Sequence, residues 1–263
     1  MRIDLHNRTA LVTGSSAGIG RTIALAFARA GAQVIVCGRN KKTLTKTERE
    51  IRALSPKSKA YQVDGTKPDQ VKKTMTKIKV LDILVNNIGG VTTFGDFFTL
   101  CDKDWKDALD LNFLSMMYFS REAVPLLKKS SRARIINICT IPARQPGNFN
   151  PHYSAAKAAM LNLSKYLSNC LAQDNILVNS ILPGTIQGED LEKRIRDRAR
   201  RDRSTVAAAR AKITKENKGK NPLGKLGEPD DIASLALFLA SDKAKFMTGT
   251  SIGLDGGATR SIF

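Results

Sequence analysis

The stretch TALVTGSSAGIG, residues 9–20, predicts the fold of this chain. It begins with a β-prone run, turns through three glycines and leads into residues 21–30, which read as an amphipathic helix. Glycines here let the backbone approach a pyrophosphate closely, and the first turn of the helix offers free N–H groups to the anion. A second β-prone run at residues 33–37 completes the strand-helix-strand unit that a dinucleotide site requires. The glycine spacing is Gly-x-x-x-Gly-x-Gly and differs from the usual Gly-x-Gly-x-x-Gly.

The same alternation of strands and helices continues along the chain. No repeat, linker or low-complexity tract interrupts it, so we expect one α/β domain over residues 1–263. Further strands are predicted at residues 59–64, 81–85, 134–140, 176–181 and 249–254, and helices at residues 43–54, 68–79, 104–129, 153–173 and 230–240.

Composition and charge disfavour several functional classes. The net charge is +19, and much of the excess lies in residues 39–59, with eight Lys/Arg and two Glu, and in residues 189–220, with twelve Lys/Arg and six Asp/Glu. Neither cluster is interleaved with the aromatic residues that stack on bases, so nucleic-acid binding is not expected as the main function. Four separated cysteines and two histidines offer no paired spacing for a metal site. No apolar run has the length of a membrane span, so we expect a soluble, cytoplasmic protein without membrane contact.

The end of the second strand bears on the choice of cofactor. An acidic residue there would bind the ribose 2′-hydroxyl of NAD(H), whereas an arginine would pair with the 2′-phosphate of NADP(H). The sequence has Arg39, Lys41 and Lys42 and no acid, which favours NADP(H) over NAD(H). The alternative is that these cations only solvate the start of the next helix, and it suits Lys41 and Lys42 best.

Tyr153 and Lys157 stand four residues apart in an alanine-rich segment that is expected to be helical. One turn apart on one face, the ammonium can lower the pKa of the phenol and so permit proton transfer near neutrality. Thr140 is a hydroxyl residue at the end of a predicted strand, and the loop that follows can return it to the phenol. Taken alone, the Tyr-x-x-x-Lys spacing is also typical of an ordinary surface helix.

In combination, these motifs resemble those of the short-chain dehydrogenase/reductase family, in the branch that includes the 3-oxoacyl reductases. The resemblance spans nearly the whole chain and implies a Rossmann-type, doubly wound parallel sheet of about seven strands with helices on both faces. Its markers are residues 13–20, Asn86-Asn87-Ile88-Gly89, Asn112, Tyr153 with Lys157, Pro183-Gly184, and a tail from Pro222 through Gly249 to Gly257.

The resemblance implies that the protein interconverts a carbonyl and a secondary alcohol. Tyr153 would be the general acid in reduction and the base in oxidation, Lys157 would lower its pKa and bind the nicotinamide ribose, and Thr140 would donate to the carbonyl oxygen. Asn112 would hold a water that links Lys157 to solvent. The residues implied to bind the cofactor are Gly14, Ser16, Gly18, Ile19, Gly20, Arg39, Asp64, Asn87, Gly89, Tyr153, Lys157, Pro183, Gly184 and Thr185.

Several positions depart from the family pattern. Thr140 replaces the usual serine, which keeps the hydroxyl but adds a methyl group. Ile88 replaces a small alanine, and Gly65 is atypical after the position that contacts adenine. Gly188 stands where a threonine often contacts the carboxamide of the cofactor, so Thr185 is expected to contact it instead.

The sequence does not identify the small carbonyl or alcohol substrate. Residues 188–221 read as a basic lid without a clear apolar stripe, and Thr140, Tyr153 and Arg144 are the expected substrate contacts. The positive charge fits an anionic substrate, such as a 3-oxoacyl group on an acidic carrier protein, a keto acid or a sugar acid. A solvated helix pair explains the same charge equally well, and neutral steroids or polyols also fit.

Two further expectations concern partners and function. The resemblance implies a homotetramer, or a homodimer, built by the helices of residues 104–129 and 153–173. The alternative function is a non-catalytic nucleotide-sensing or nucleic-acid-binding module that uses the basic faces of the protein.

Overall fold

The computed structural model describes residues 3–262, and Asp190 by its backbone alone. Its centre is one parallel sheet, whose strands are β1 (Thr9–Val12), β2 (Gln33–Gly38), β3 (Lys59–Gln62), β4 (Ile83–Asn86), β5 (Arg134–Ile138), β6 (Leu177–Pro183) and β7 (Ser251–Leu254). Their order across the sheet is β3-β2-β1-β4-β5-β6-β7. The direction of winding reverses between β1 and β4, and sheets of this kind bind ligands at that point, outside the carboxyl ends of the strands.

Helices cover both faces of the sheet. They are α1 (Gly18–Arg29), α2 (Lys41–Leu54), α3 (Pro68–Met75), α4 (Asp102–Leu109), α5 (Ser115–Leu127), α6 (Pro151–Cys170), α7 (Glu189–Arg201), α8 (Val206–Lys218) and α9 (Pro229–Ala240). The core on one face includes side chains from α1, α2 and α9, and the core on the other face includes side chains from α3, α5 and α6. The doubly wound α/β fold that the sequence predicted is confirmed.

The central strands are apolar throughout because both of their faces are buried. In β1, Ala10 and Val12 belong to the core under α1, whereas Leu11 belongs to the opposite core, which contains Phe119 of α5. All three β1 side chains are fully buried. The alternation of side chains across a strand therefore connects two cores through one short segment.

Two helical predictions need correction. The helix predicted for residues 104–129 is interrupted by a π-helical turn at Asp110–Leu114, which separates α4 from α5. The prediction that residues 188–221 lack an apolar stripe is wrong, because α7 and α8 form a hairpin with a buried cluster of its own. Its members recur at helical spacing and are Leu191, Ile195, Ala199, Ala209 and Ile213, with Leu226 packed against them.

Other differences are smaller. β5 ends at Ile138, so Thr140 lies two residues beyond the strand. Cys37 and Cys139 are buried, whereas Cys101 and Cys170 are exposed. No helix among residues 3–262 has both the length and the apolar character that crossing a bilayer requires.

Candidate active site

Asn87 and Thr13 tie the turn after β1 to the turn after β4. The amide Nδ2 of Asn87 donates to the carbonyl oxygens of Thr13 and Gly14, each at 3.0 Å. Oγ1 of Thr13 accepts from the backbone N–H of Asn87 at 2.9 Å and of Ile88 at 3.2 Å. Gly20 must be a glycine here, because a Cβ would lie 2.4 Å from Nδ2 of Asn87 and 2.5 Å from the oxygen of Gly14. The structure thus brings Gly14, Gly20 and Asn87 together at the carboxyl edge of the sheet.

The start of α1 faces an open cleft. Gly18 has φ +54° with nothing within 4 Å of the position of a Cβ. No side chain caps α1 and its first turn contains no acidic residue, so its N–H groups and the positive end of its dipole are available to an anion. The cleft has a volume of about 140 Å³ and is lined by Ala17, Gly18, Ile19, Ile186, Gln187, Gly188 and Glu189. These features fit the pyrophosphate of a dinucleotide.

The end of β2 combines a hydroxyl and a cation. Oγ of Ser16 would lie 3.0 Å from a Cβ at Gly38, so the Ser16 side chain stands directly against the last residue of the strand. Arg39 follows and is exposed. Its carbonyl oxygen accepts from Nε2 of Gln62 at 3.0 Å, whereas its guanidinium has no hydrogen bond or ion pair with residues 3–262. A hydroxyl and an exposed guanidinium thus belong to the same strand end, and residues of these two types fit the 2′-phosphate of NADP(H).

Asp64 and the residue after it lie at the next strand end. The carboxylate of Asp64 accepts from the backbone N–H of Thr66 at 3.0 Å and from its hydroxyl at 2.8 Å. A Cβ at Gly65 would lie 2.4 Å from Cδ1 of Ile88 and 3.2 Å from Cε2 of Phe119. Gly65 and Ile88, two of the departures noted in the sequence, are thus neighbours, and the isoleucine side chain fills the space beside the glycine.

Lys157 is buried on the second turn of α6. Its ammonium donates to the carbonyl oxygen of Ile138, at the end of β5, at 2.9 Å, and it lies 3.5 Å from Sδ of Met160. Burial lowers the pKa of Lys157 from its ordinary value, and the neighbouring thiol of Cys139 opposes that shift. The carbonyl of Ile138 and the helix together fix the ammonium at the carboxyl edge of the sheet.

Asn112 and Lys157 converge on Gly89. The π-helical turn carries Asn112, which is fully buried. Its Oδ1 accepts from the N–H of Gly90 at 2.8 Å, and its Nδ2 donates to the carbonyl oxygens of Gly90 and Ala108, each at 3.1 Å. A Cβ at Gly89 would lie 2.7 Å from Oδ1 of Asn112 and 2.8 Å from Nζ of Lys157. In this structure Asn112 positions the turn after β4, and the water-holding role predicted for it stays a prediction.

Tyr153 lies in the first turn of α6, half-buried, one turn before Lys157. The helix starts after Asn150, which has the left-handed conformation with φ 57°. Asn150 is joined to Gly95 by a pair of hydrogen bonds, from its N–H to the Gly95 oxygen at 2.8 Å and from the Gly95 N–H to its Oδ1 at 3.2 Å. Thr140 precedes a short turn that packs on α6, and its hydroxyl has no hydrogen bond with residues 3–262.

Other predicted residues make different contacts. Arg144 is exposed and donates to the carbonyl oxygen of Ser251 on β7 at 3.1 Å. The hydroxyl of Thr185 donates to Oδ1 of Asn217, on α8, at 2.9 Å. Pro183 ends β6, and the N–H of Gly184 donates to Leu254 at 3.0 Å. The structure therefore joins Thr185 to the α7–α8 hairpin and engages Arg144 with the sheet.

A buried chain of polar side chains, which sequence reasoning missed, supports the site. Nδ2 of Asn86 donates to Oδ1 of Asn137 at 2.9 Å and to the hydroxyl of Ser120 at 3.0 Å. Nδ2 of Asn137 donates to the hydroxyl of Ser164 at 2.8 Å. The chain links α5, β4, β5 and α6 directly beneath the turns that carry Gly89 and Thr140. Its signal in the sequence was an asparagine inside the apolar run of β5, because a buried amide needs partners.

Known proteins resemble this chain over its whole length. A family model described as enoyl-(acyl carrier protein) reductase matches residues 14–259. The chain is 30% identical over 265 residues to an uncharacterised oxidoreductase of Bacillus subtilis, with all of both chains covered. It is 32% identical over 259 residues to the 3-oxoacyl-[acyl-carrier-protein] reductase of Thermotoga maritima, which covers 96% of this chain and 98% of that one. The crystal structure of L-sorbose reductase from Gluconobacter frateurii, complexed with NADPH and L-sorbose, superposes with a TM-score of 0.92 at 26% identity and covers all of both chains.

Proposed function

The chain belongs to the short-chain dehydrogenase/reductase family of oxidoreductases, and on that premise we propose that it interconverts a carbonyl and a secondary alcohol with NADP(H) as its cofactor. The observation that carries the proposal is the convergence of Lys157 and Asn112 on Gly89, one helical turn from Tyr153. A buried cation, a phenol and the start of α1 at one sheet edge fit a nicotinamide dinucleotide. The NADPH in the structure of the sorbose reductase supports the same choice.

Different residues of the site would bind the different parts of the cofactor. The cleft at Gly18 and Ile19 would hold the pyrophosphate, and Ser16 with Arg39 would hold the 2′-phosphate. Bound NADP(H) supplies or accepts the hydride. Asp64 would contact the adenine, while Pro183, Gly184 and Thr185 would border the nicotinamide end.

Proton transfer is assigned to Tyr153. Its hydroxyl gives a proton to the carbonyl oxygen in reduction and takes it back in oxidation. The ammonium of Lys157 favours the phenolate electrostatically, and its bond to Ile138 holds it in place. The hydroxyl of Thr140 is available to donate to the oxygen on which charge develops.

The substrate is proposed to be an anionic carbonyl compound, of the 3-oxoacyl, keto acid or sugar acid type. Residues 188–221, with the α7–α8 hairpin, would be the lid over it. A homotetramer formed through α4–α5 and α6 is part of the proposal, and Tyr166 on α6 supports it, because this large aromatic residue is 65% exposed in the single chain. Sedimentation velocity tests the assembly.

A cytoplasmic location is also proposed, where the thiols of Cys37 and Cys139 would stay reduced.

Tyr153→Phe tests the chemistry. Oxidation of NADPH with a panel of carbonyl compounds should fall about 10²–10⁴-fold, the usual contribution of a positioned acid or base. Binding of NADPH, followed by its fluorescence, should be nearly unchanged. Tyr166→Phe removes the same hydroxyl from an exposed position on the same helix and should leave both readouts unaltered.

Arg39→Asp tests the cofactor. The preference for NADPH over NADH should fall about 10–100-fold, since a charge-assisted hydrogen bond is lost and a repulsion is added. Lys42→Asp makes the same change of charge three residues later as a control.

Full turnover by Tyr153→Phe would refute the assignment of proton transfer to Tyr153. Binding of nucleic acid with a steep salt dependence, together with no turnover of any carbonyl, would favour the non-catalytic alternative.

A further inference from the structure

Much of the positive charge of the protein lies at one edge of the sheet, where β3 is the outermost strand. Residues 39–79, which the structure describes in full, form α2, β3 and α3 and contain thirteen Lys/Arg and four Asp/Glu. All thirteen basic residues are exposed. This segment, the basic edge, therefore contributes +9 of the net charge of +19.

The carboxylates of the chain neutralise little of the charge at the basic edge. Among the described residues, the one ion pair of these thirteen cations joins Arg52 to Glu48, at 4.0 Å. Glu50, which also belongs to the segment, instead binds Arg21 of α1 at 2.7 Å. The α7–α8 hairpin, by contrast, has six ion pairs among its described side chains. Most of the positive charge at the basic edge is thus solvated and open to an external anion.

The cations surround the edge of the sheet on three sides. Leu44 and Ile51 of α2 belong to the core on one face, and Val71 and Met75 of α3 belong to the core on the other. Exposed cations occur on both helices and on the strand between them, namely Lys41, Lys42, Lys46, Arg49 and Arg52 on α2, Lys59 on β3, and Lys72 and Lys73 on α3. The positive surface therefore wraps around a convex edge, with one row of cations on each side of β3.

This shape and composition favour one class of anion. A flat anionic membrane cannot meet the rows on α2 and α3 together, because they lie on opposite faces of the sheet. An acidic protein would need an apolar centre in its interface, whereas Leu54 is the one large apolar residue exposed within residues 39–79. Single-stranded nucleic acid stacks its bases on aromatic rings, and the sole aromatic residue of the segment, Tyr61, already has the ammonium of Lys77 over its ring at 5.7 Å. A nucleic-acid duplex presents two phosphate backbones and can meet both rows.

We propose that the basic edge binds double-stranded RNA through its phosphate backbones, as a second activity that is independent of the proposed reductase chemistry. The minor groove of an A-form duplex is wide and shallow, and proteins recognise it by shape and by phosphate and 2′-hydroxyl contacts. A blunt edge fits such a groove, with the cations of α2 near one backbone and those of α3 near the other. In B-form DNA the minor groove is only about 6 Å wide and the major groove is about 8.5 Å deep, so DNA fits this edge less well.

Fluorescence anisotropy with a labelled RNA duplex of about 20 base pairs, long enough for one such site, tests the inference. The logarithm of the association constant should fall linearly with the logarithm of the salt concentration. Lys46→Gln/Arg49→Gln on α2 and Lys72→Gln/Lys73→Gln on α3 should each weaken binding about tenfold. Each pair should also reduce the steepness of the salt dependence by about 2, because two phosphate contacts are lost.

A double variant on another surface provides the matched control. Lys215→Gln/Lys218→Gln removes the same charge from exposed positions of α8 and should weaken binding less than about threefold. An equal response of the control and the edge variants would overturn the inference, because net charge alone would then explain the binding. A DNA duplex and an RNA single strand of the same length, and vesicles containing phosphatidylserine, are compared with the RNA duplex. Equal or tighter binding to any of these three would also overturn the choice of double-stranded RNA.

The outcome for RNA is separable from the outcome for the reductase. The edge variants should keep their NADPH-dependent turnover, and Tyr153→Phe should keep its RNA binding. RNA binding that requires the basic edge, without turnover of any carbonyl compound, would support this inference and count against the reductase. Turnover of carbonyl compounds without salt-dependent RNA binding would refute the inference and leave the proposed reductase in place.

Discussion

Adding one methyl group at Gly65 should destabilise the protein through a single contact. The new Cβ would lie 2.4 Å from Cδ1 of Ile88, so one of the two atoms must move by about 1 Å to reach the ordinary separation of about 3.5 Å. The Cβ cannot retreat in the other direction, because Cε2 of the fully buried Phe119 is 3.2 Å away. Overpacking of this kind costs about 1–3 kcal/mol, and the lower entropy of the unfolded alanine chain offsets about 0.4–1 kcal/mol of it.

Ile88→Val removes only Cδ1, the atom that a Cβ at Gly65 would approach too closely. Alone it should cost about 0.5–1.5 kcal/mol, as expected for the loss of one methyl group. In the double variant Gly65→Ala/Ile88→Val the new methyl occupies the vacated space, so the free energy of unfolding should exceed the additive value by about 1–2 kcal/mol. Urea denaturation of the four proteins gives this coupling directly.

Ile135→Val serves as the control for the cycle. Ile135 is fully buried on β5, and none of its atoms is among the three that lie nearest to a Cβ at Gly65. Its combination with Gly65→Ala should therefore be additive within about 0.5 kcal/mol. Additive behaviour of the Gly65 and Ile88 variants as well would show that the contact between them does not determine the packing at this strand end.

Two further variants test the site and its surroundings. Gly89→Ala places a Cβ 2.8 Å from the ammonium of Lys157 and should lower kcat about 10–100-fold by displacing it, whereas Gly147→Ala, with nothing within 4 Å of its Cβ, should leave kcat unchanged. An unaltered kcat in Gly89→Ala would contradict the placement of Lys157. Burial lowers the pKa of His152, partly opposed by Asp104, so the unfolded state takes up a proton first and the free energy of unfolding should fall as the pH drops below about 6.5. Urea titrations from about pH 7.5 to 5.5 should show a shallower fall in His152→Asn, and an identical slope would refute the assignment.

The sequence predicted the fold because its evidence is local. The strand, the glycine turn and the helix of residues 9–29 each follow from neighbouring residues, and apolar runs such as β1 and β5 leave little choice but burial on both faces. The α7–α8 hairpin was read less well. Leu191, Ile195 and Ala199 are spaced for one helical face. This apolar stripe is narrow, and the charged residues between its members make it difficult to recognise in the sequence.

Details of the site depended on contacts between distant segments. Gly65 and Ile88 were each recognised as unusual, but no pattern in one sequence says that two residues twenty-three positions apart touch. The approach of Lys157 and Asn112 to Gly89 likewise depends on how far α6 and the π-helical turn lie from β4. The substrate contact expected of Arg144 stays a prediction, and its hydrogen bond to Ser251 could not be predicted because it depends on where the folded sheet places β7.

The small core of the α7–α8 hairpin has an evolutionary consequence. Its apolar contacts lie mainly within the hairpin, while the seven-stranded sheet completes two separate cores from other helices. Mutations at hairpin positions outside this buried cluster can therefore accumulate without loss of the sheet, as long as the cluster and the hydrogen bond from Thr185 to Asn217 persist. Under the proposal that this hairpin covers the substrate, its side chains can change, and with them the substrate, while the sheet and the residues around Lys157 stay the same.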